Sequence, residues 1–275
     1  MSYSCNLLTK IQINFVFLQF KECNWDMKYF KLLLLYLVLL LAACNRERNR
    51  TMLIRLQQWD KISDDNPEAL KDSLQQINPA GLSRFNKAYY GLLKTIADDK
   101  TFIPFSSDSL INETEKQLHR RHKGSELHIR SLIYQGIVRY RMGVTDSTAF
   151  VPLKEAERLY TNLQPPNPQI GYLMYYYLGS TLEHNDNDEE ADSYYRKALQ
   201  SAENERSEKH VFDAYMALYW NEIINDNLTA GKNYLDSLEK FTDISVDATY
   251  FRLNAKGVFF ELEGNYEAAL NTIKE

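Results

Sequence analysis

Tyr172 to Glu205 reads YLMYYYLGSTLEHNDNDEEADSYYRKALQSAENE, and this 34-residue stretch decides the fold. An apolar run containing Leu178 and Gly179 meets the polar string His184 to Glu190, and a second amphipathic run follows. Two periodic runs around a short polar break are expected to form a helix-turn-helix. Ala191 follows Gly179 by twelve residues, Tyr195 by sixteen and Ala198 by nineteen. Small residues at 179 and 191 would let the two helices approach closely. Tyr195 and Ala198 are then expected to stack on the next unit.

This spacing resembles the tetratricopeptide repeat (TPR), whose units cannot bury their apolar face alone and stack into a solenoid. The resemblance implies an all-α solenoid whose work is binding. The twelve-residue step recurs from Tyr219 to Gly231, ahead of Leu235 and Leu238, and from Gly257 to Ala269, around Gly264 and Tyr266. Leu132, Gly136, Ala156 and Tyr160 suggest an earlier, divergent unit whose connection runs from Gly143 to Pro152. Repeats are thus expected over 125–275, with divergent helical pairs over 51–124. The second helix of the last unit stops six residues after Ala269, so the chain reads as the front part of a longer protein.

The amino-terminal side reads as an address. Met27-Lys28-Tyr29-Phe30-Lys31 is basic, Leu32 to Leu41 is apolar, and Leu41-Ala42-Ala43-Cys44 precedes a polar string, Asn45 to Arg50. These are the parts of a secretory signal. The ending resembles the lipobox of bacterial lipoproteins, which implies cleavage between Ala43 and Cys44 and acylation of Cys44. Several acyl chains anchor firmly, since each buried CH₂ adds about 0.8 kcal/mol. The apolar stretch falls short of the roughly 20 residues a membrane-spanning helix needs. The expected organisation is therefore signal at 27–43, linker at 44–50, and residues 1–26 as an upstream over-extension. Asn45 lacks the aspartate that retains enteric lipoproteins in the inner membrane, so the resemblance favours the outer membrane, facing the periplasm.

The cysteines are Cys5, Cys23 and Cys44, which leaves the body without a disulfide framework or thiolate metal site. The chain carries a net charge of −5, and beyond residue 44 the 28 basic and 35 acidic side chains leave −7. An acidic body offers no footprint for nucleic acid. His119, His122 and His128 are the tightest set of ligand types, but His119-Arg120-Arg121-His122-Lys123 surrounds them with cations and Glu126 is the near acid. A solvated helix end is the expected reading, with no metal. Asp186-Asn187-Asp188-Glu189-Glu190 lacks the glycine of a calcium loop and is expected to be a turn that caps the next helix. Among recognised signatures there is no G-x-S-x-G, no phosphate-cradling glycine loop and no H-E-x-x-H. No enzyme activity and no cofactor are expected.

In the TPR family the first helix of each repeat lines a concave groove. The matching positions here are Leu173, Tyr176, Ser180 and Glu183, then Asp213, Met216, Trp220 and Ile223, then Phe251, Asn254, Val258 and Glu261. Such a groove would be aromatic and apolar with scattered acids. The Lys, Asn and Arg that clamp a terminal carboxylate in one TPR subgroup are replaced here by residues such as Tyr176 and Ser180. Tyr175, Tyr177 and Tyr219 are expected in the core. The implied function is a lipid-anchored module that binds a protein or peptide. Ala69–Ile111 also resembles the start of envelope sensors that join a periplasmic TPR array to gene regulation. A scaffold lipoprotein of the outer membrane, or a SusD-like accessory of glycan uptake, is the alternative.

Overall fold

The computed structural model describes residues 27–144, 147–242 and 245–274, and every regular element among them is a helix. Residues 1–26, including Cys5 and Cys23, lie outside it. Two units emerge, residues 1–55 and 56–275. The first contains most of helix α1 (Met27–Asp60), with Leu32 to Leu35 and Leu37 exposed. Residues 44–50, expected as a linker, lie within helix α1. Among the described residues no helix is long and apolar enough to cross a membrane.

The second unit begins with the last turn of α1 and continues across position 124–125 without a boundary. Its helices are α2 (Pro67–Gln75), α3 (Arg84–Lys100), α4 (Ser109–His122), α5 (Glu126–Arg141), α6 (Ser147–Tyr160), α7 (Pro168–Glu183), α8 (Asp188–Glu205), α9 (Glu208–Ile224), α10 (Leu228–Leu238), α11 (Val246–Leu262) and α12 (Tyr266–Thr272). Consecutive helices from α3 onward pack on one another, α3 with α4 through α11 with α12. Each pair also packs on the next, and the first helices α3, α5, α7 and α9 touch in succession. This is the TPR-like solenoid that the 172–205 spacing implies.

Starts are set by side-chain caps. Ser83, Ser125, Ser207 and Ser245 each accept a hydrogen bond from the backbone N–H three residues on, and Pro67 and Pro168 occupy first-turn positions behind Asn66 and Asn167. A cap of this kind is worth about 1 kcal/mol. At α4 the N-cap is Asp108, which makes no capping bond; Ser107 Oγ accepts from Ser109 N instead, at 3.1 Å.

Ends are set by one device used repeatedly. A residue at positive φ follows the helix, and the next N–H donates five residues back. This happens with Phe102 (Ile103 N to Asp98 O, 2.9 Å), Gly143 (Val144 N to Arg139 O, 2.9 Å), Asp186 (Asn187 N to Leu182 O, 3.1 Å), Arg206 (Ser207 N to Ala202 O, 3.2 Å), Asp226 (Asn227 N to Glu222 O, 2.9 Å) and Gly264 (Asn265 N to Phe260 O, 2.8 Å). The motif satisfies carbonyls that a helix end leaves orphaned. The turns after α7 and α9 are near copies. Asn185 and Asn225 donate from Nδ2 to the carbonyl four residues back, Asp186 and Asp226 take the left-handed conformation, and Asn187 and Asn227 sit at the N-cap.

Close approach between paired helices falls on glycine. A Cβ at Gly179 would lie 2.6 Å from Cε1 of Tyr195, at Gly136 2.5 Å from Cγ of Leu153, and at Gly91 2.2 Å from Oγ1 of Thr114. Gly179 therefore faces the Tyr195 ring. Within its own repeat the Tyr195 hydroxyl donates to Glu183 Oε2 at 2.5 Å. Ala198 reaches across, clustering with Ala202, Tyr172 and Ala214 of the following repeat. Ala191 is fully buried, Ala269 nearly so, and Gly231 meets Ile223. A Cβ at Gly257 or Gly264 would meet nothing within 4 Å, and Gly264 serves its turn through φ +74°.

The connection before α6 is shorter than Gly143 to Pro152, because the helix starts at Ser147 and encloses Pro152. Proline inside a helix leaves the carbonyl four residues earlier without its donor. Here that carbonyl belongs to Thr148, and Arg139 Nη1 donates to it at 2.7 Å. Arg139 also donates to Asp108 Oδ2 at 2.9 Å and Asn112 Oδ1 at 3.0 Å, so one guanidinium joins α4, α5 and α6. A second tie joins Arg130 to Asp60 through two bonds of 2.7 Å, with Tyr89 Oη donating to the same carboxylate at 2.6 Å.

Candidate functional site

The successive first helices bring their facing residues together around a cavity of about 340 Å³. The end of α3 supplies Asp99 and Lys100, and the turn after it supplies Phe102. Helix α5 contributes Tyr134 and Arg141. Helix α7 contributes Tyr172, Leu173, Tyr176 and Tyr177, and the start of α9 contributes Lys209, His210 and Asp213. Asp64 and Pro67, before and at the start of α2, complete the lining. The size suits a small-molecule or short-peptide site.

Tyrosines form the apolar part of the wall. Tyr134 and Tyr177 are buried, and Tyr172 stacks on the His210 ring with centroids 4.0 Å apart and planes 15° from parallel. Burial holds the hydroxyls of Tyr134, Tyr172, Tyr176 and Tyr177 well above the ordinary tyrosine range, so all four stay protonated donors.

The charges are mostly paired. Lys100 Nζ binds Asp64, which also accepts from Gln169 Nε2. Burial pushes the Asp64 carboxyl up, but Lys100 and the more distant Arg130 and His210 outweigh it and hold the carboxyl below its ordinary value. Arg141 Nε donates to Asp99 Oδ1 and its Nη2 to Tyr177 Oη, both at 3.0 Å. Asp99 is nonetheless held above the ordinary carboxylate value, because burial exceeds what Arg141 and Lys100 return. His210 Nδ1 lies 2.7 Å from Glu205 Oε2. Asp213 makes no salt bridge among the described residues. Burial raises its carboxyl, opposed by Lys209 and His210 and by a hydrogen bond from Tyr172.

Phe102 marks the mouth. The residue is 86% exposed and its φ is +56°, a conformation that costs a residue with a Cβ about 1–2 kcal/mol. Strain held at a cavity rim points toward function.

Of the groove residues expected from sequence, Tyr176, Leu173 and Asp213 line the cavity. Ser180 and Glu183 do not; both meet the buried hydroxyl of Tyr195. Met216 and Trp220 pack on the core cluster of Phe212, Tyr219, Leu235 and Phe259, and Trp220 meets Tyr219 edge-on at 5.0 Å. Asn254 and Phe251 are exposed on α11, away from this lining. Cations absent from the expected groove, Lys100, Arg141 and Lys209, are present in the observed one. Sequence reasoning missed Asp64, Asp99, Lys100 and Phe102 because they lie in the divergent pairs. The signal that was available is Phe102-Ile103-Pro104 after α3, a bulky residue where a helix end favours glycine.

Of the three histidines only His122 stands apart, while one ligand atom each of His119, His128 and Glu115 lies within 4.8 Å of the others. His122 packs on Phe85, with centroids 4.5 Å apart. His119 and His128 gather around Glu115 rather than Glu126, with Oε1 3.4 Å from His119 Nδ1 and 3.2 Å from His128 Nε2. His128 is fully buried and its Nδ1 accepts from Gly124 N at 3.1 Å. Its Nε2 must then carry the proton and donate to Glu115, which leaves no lone pair there for a metal. Burial lowers the His128 pKa, in keeping with this neutral form.

No family model matches this sequence, and no curated protein matches it. Solved structures do. BtubC (BKLC) from P. vanneervenii superposes with a TM-score of 0.58 at 13% identity, covering 80% of this chain and 88% of that one. The apo form of the quorum sensor NprR from B. thuringiensis superposes with a TM-score of 0.60 at 14% identity, covering 82% of this chain and 64% of that one. At these identities the likeness is one of fold: a TPR-like array of helices.

Proposed function

We propose that this chain is a lipid-anchored binding module of the bacterial envelope, which holds a short peptide or an exposed protein segment in the cavity between α3, α5, α7 and α9. The observation that carries the reading is the lining itself. Four tyrosine hydroxyls, two ion pairs and one carboxylate without a salt bridge surround about 340 Å³ on one side of the array. A peptide offers what such a wall can meet: backbone donors and acceptors, apolar side chains and charged ends. Lipid attachment rests on the Leu41-Ala42-Ala43-Cys44 ending, which places acyl chains on Cys44 outside the repeats. A sensing role, with occupancy passed on to gene regulation, rests on the Ala69–Ile111 resemblance. It is in keeping with the fold shared with a protein described as a quorum sensor.

The test is affinity selection of a random pentapeptide library on the full chain in detergent, read by mass spectrometry, with Tyr176→Ala in parallel. Enrichment of a peptide subset that falls at least tenfold with Tyr176→Ala is expected. Equal enrichment on both proteins would move the site elsewhere. Membrane flotation of Cys44→Ser tests the anchor separately; a variant that still floats removes lipidation.

A further inference from the structure

The cavity's charges do not cancel locally. Lys100 is matched by Asp64 and Arg141 by Asp99, while His210 is matched by Glu205, which is not among the lining residues. Two lining groups then remain without a salt bridge among the described residues, Asp213 and Lys209. They differ in setting: Lys209 is exposed and can extend its ammonium into water, although it still acts on the carboxyl of Asp213 four residues on, whereas Asp213 is half-buried and lines the cavity with Tyr172 and Tyr176 of the facing helix. Asp213 is therefore the half-buried lining charge with no cation at salt-bridge distance among the described residues.

Resting on the peptide-binding reading, we propose that the cavity selects ligands carrying a protonated amine, which Asp213 receives beside the Tyr172 hydroxyl and the tyrosine rings that line the cavity with it. A carboxylate drawn out of water is costly until a cation meets it, and aromatic walls add cation–π attraction for the same group. The amine is either a free peptide N-terminus or a lysine side chain, and the two are separable by experiment.

Four pentapeptide pools are offered to the full chain: free N-terminus without lysine, N-acetylated with central lysine, N-acetylated with central norleucine, and N-acetylated with central glutamate. At least one amine-bearing pool is expected to enrich about tenfold over the norleucine pool, a difference of about 1.4 kcal/mol. The first pool identifies a terminal amine and the second a side chain. Asp213→Asn should abolish the preference, and Asp213→Glu should restore part of it. The thermal midpoint of Asp213→Asn should stay level or rise, because its carboxyl is costly to ionise in the folded chain. Equal or better enrichment of the norleucine or glutamate pool would overturn the amine preference while leaving peptide binding in place. Failure of all four pools would overturn peptide binding itself. A preference retained in Asp213→Asn would overturn Asp213 as the receiver of the amine, and a lowered midpoint together with rescue failing in Asp213→Glu would make Asp213 a structural residue.

Discussion

Gly179 and Gly257 occupy matching places in the sequence pattern and opposite places in the packing. At Gly179 the missing Cβ makes room for the Tyr195 ring, which the bond to Glu183 holds in place. Gly179→Ala should therefore cost about 1–3 kcal/mol, the usual range for overpacking a fixed core. At Gly257 nothing lies within 4 Å of a built Cβ, and the residue is inside α11. Gly257→Ala should add about 0.5–1 kcal/mol by helix propensity. Urea denaturation of both variants checks the pair, and effects of the same sign would contradict the packing described. Phe102 yields a different contrast. Phe102→Gly relieves a left-handed backbone and should raise stability by about 1 kcal/mol, while removing the ring at the cavity mouth should weaken ligand capture. Melting and peptide enrichment measured together decide it; a destabilised Phe102→Gly would show that the ring holds the turn.

At the scale of elements, helix starts were legible and helix ends less so. Ser83 before α3 is readable because a serine ahead of an apolar period has one efficient use, capping. Ends are harder because the left-handed position is glycine at only two of the six repeated stops, Gly143 and Gly264. Asp186 and Asp226 fill it through their tolerance of that region, and the twin Asn-Asp-Asn strings at 185–187 and 225–227 are the trace they leave in the sequence. Pro152 misled for a physical reason: its disruption is local, and Arg139, thirteen residues away, supplies the donor the helix lacks. Asn227 Oδ1 accepts from Ala230 N at 3.3 Å, so Asn227→Ala should cost about 1 kcal/mol in thermal or urea unfolding. A neutral effect would assign the order of that turn to its backbone bonds alone.

At the scale of the whole molecule, the TPR-like array was readable from 172–205 outward, yet the cavity was only half readable. Tyr176, Leu173 and Asp213 come from repeats whose spacing marks them. Asp64, Asp99, Lys100 and Phe102 come from pairs with no such spacing, and only the stacking of α3, α5, α7 and α9 brings them near the first set. Trp220 shows the converse. It sits at a groove register, but the bulk around Tyr219 and Phe259 claims it for the core. The central claim is that ligands enter on the first-helix side, and site-specific photo-crosslinking tests it most directly. A photoreactive side chain would replace Leu173 on the cavity wall or Arg196, whose side chain is 56% exposed on the second helix α8. Adducts with peptides or proteins are expected from position 173 and should disappear when an enriched pentapeptide competes. Competed adducts from position 196, with none from 173, would contradict the assignment of the cavity as the binding site.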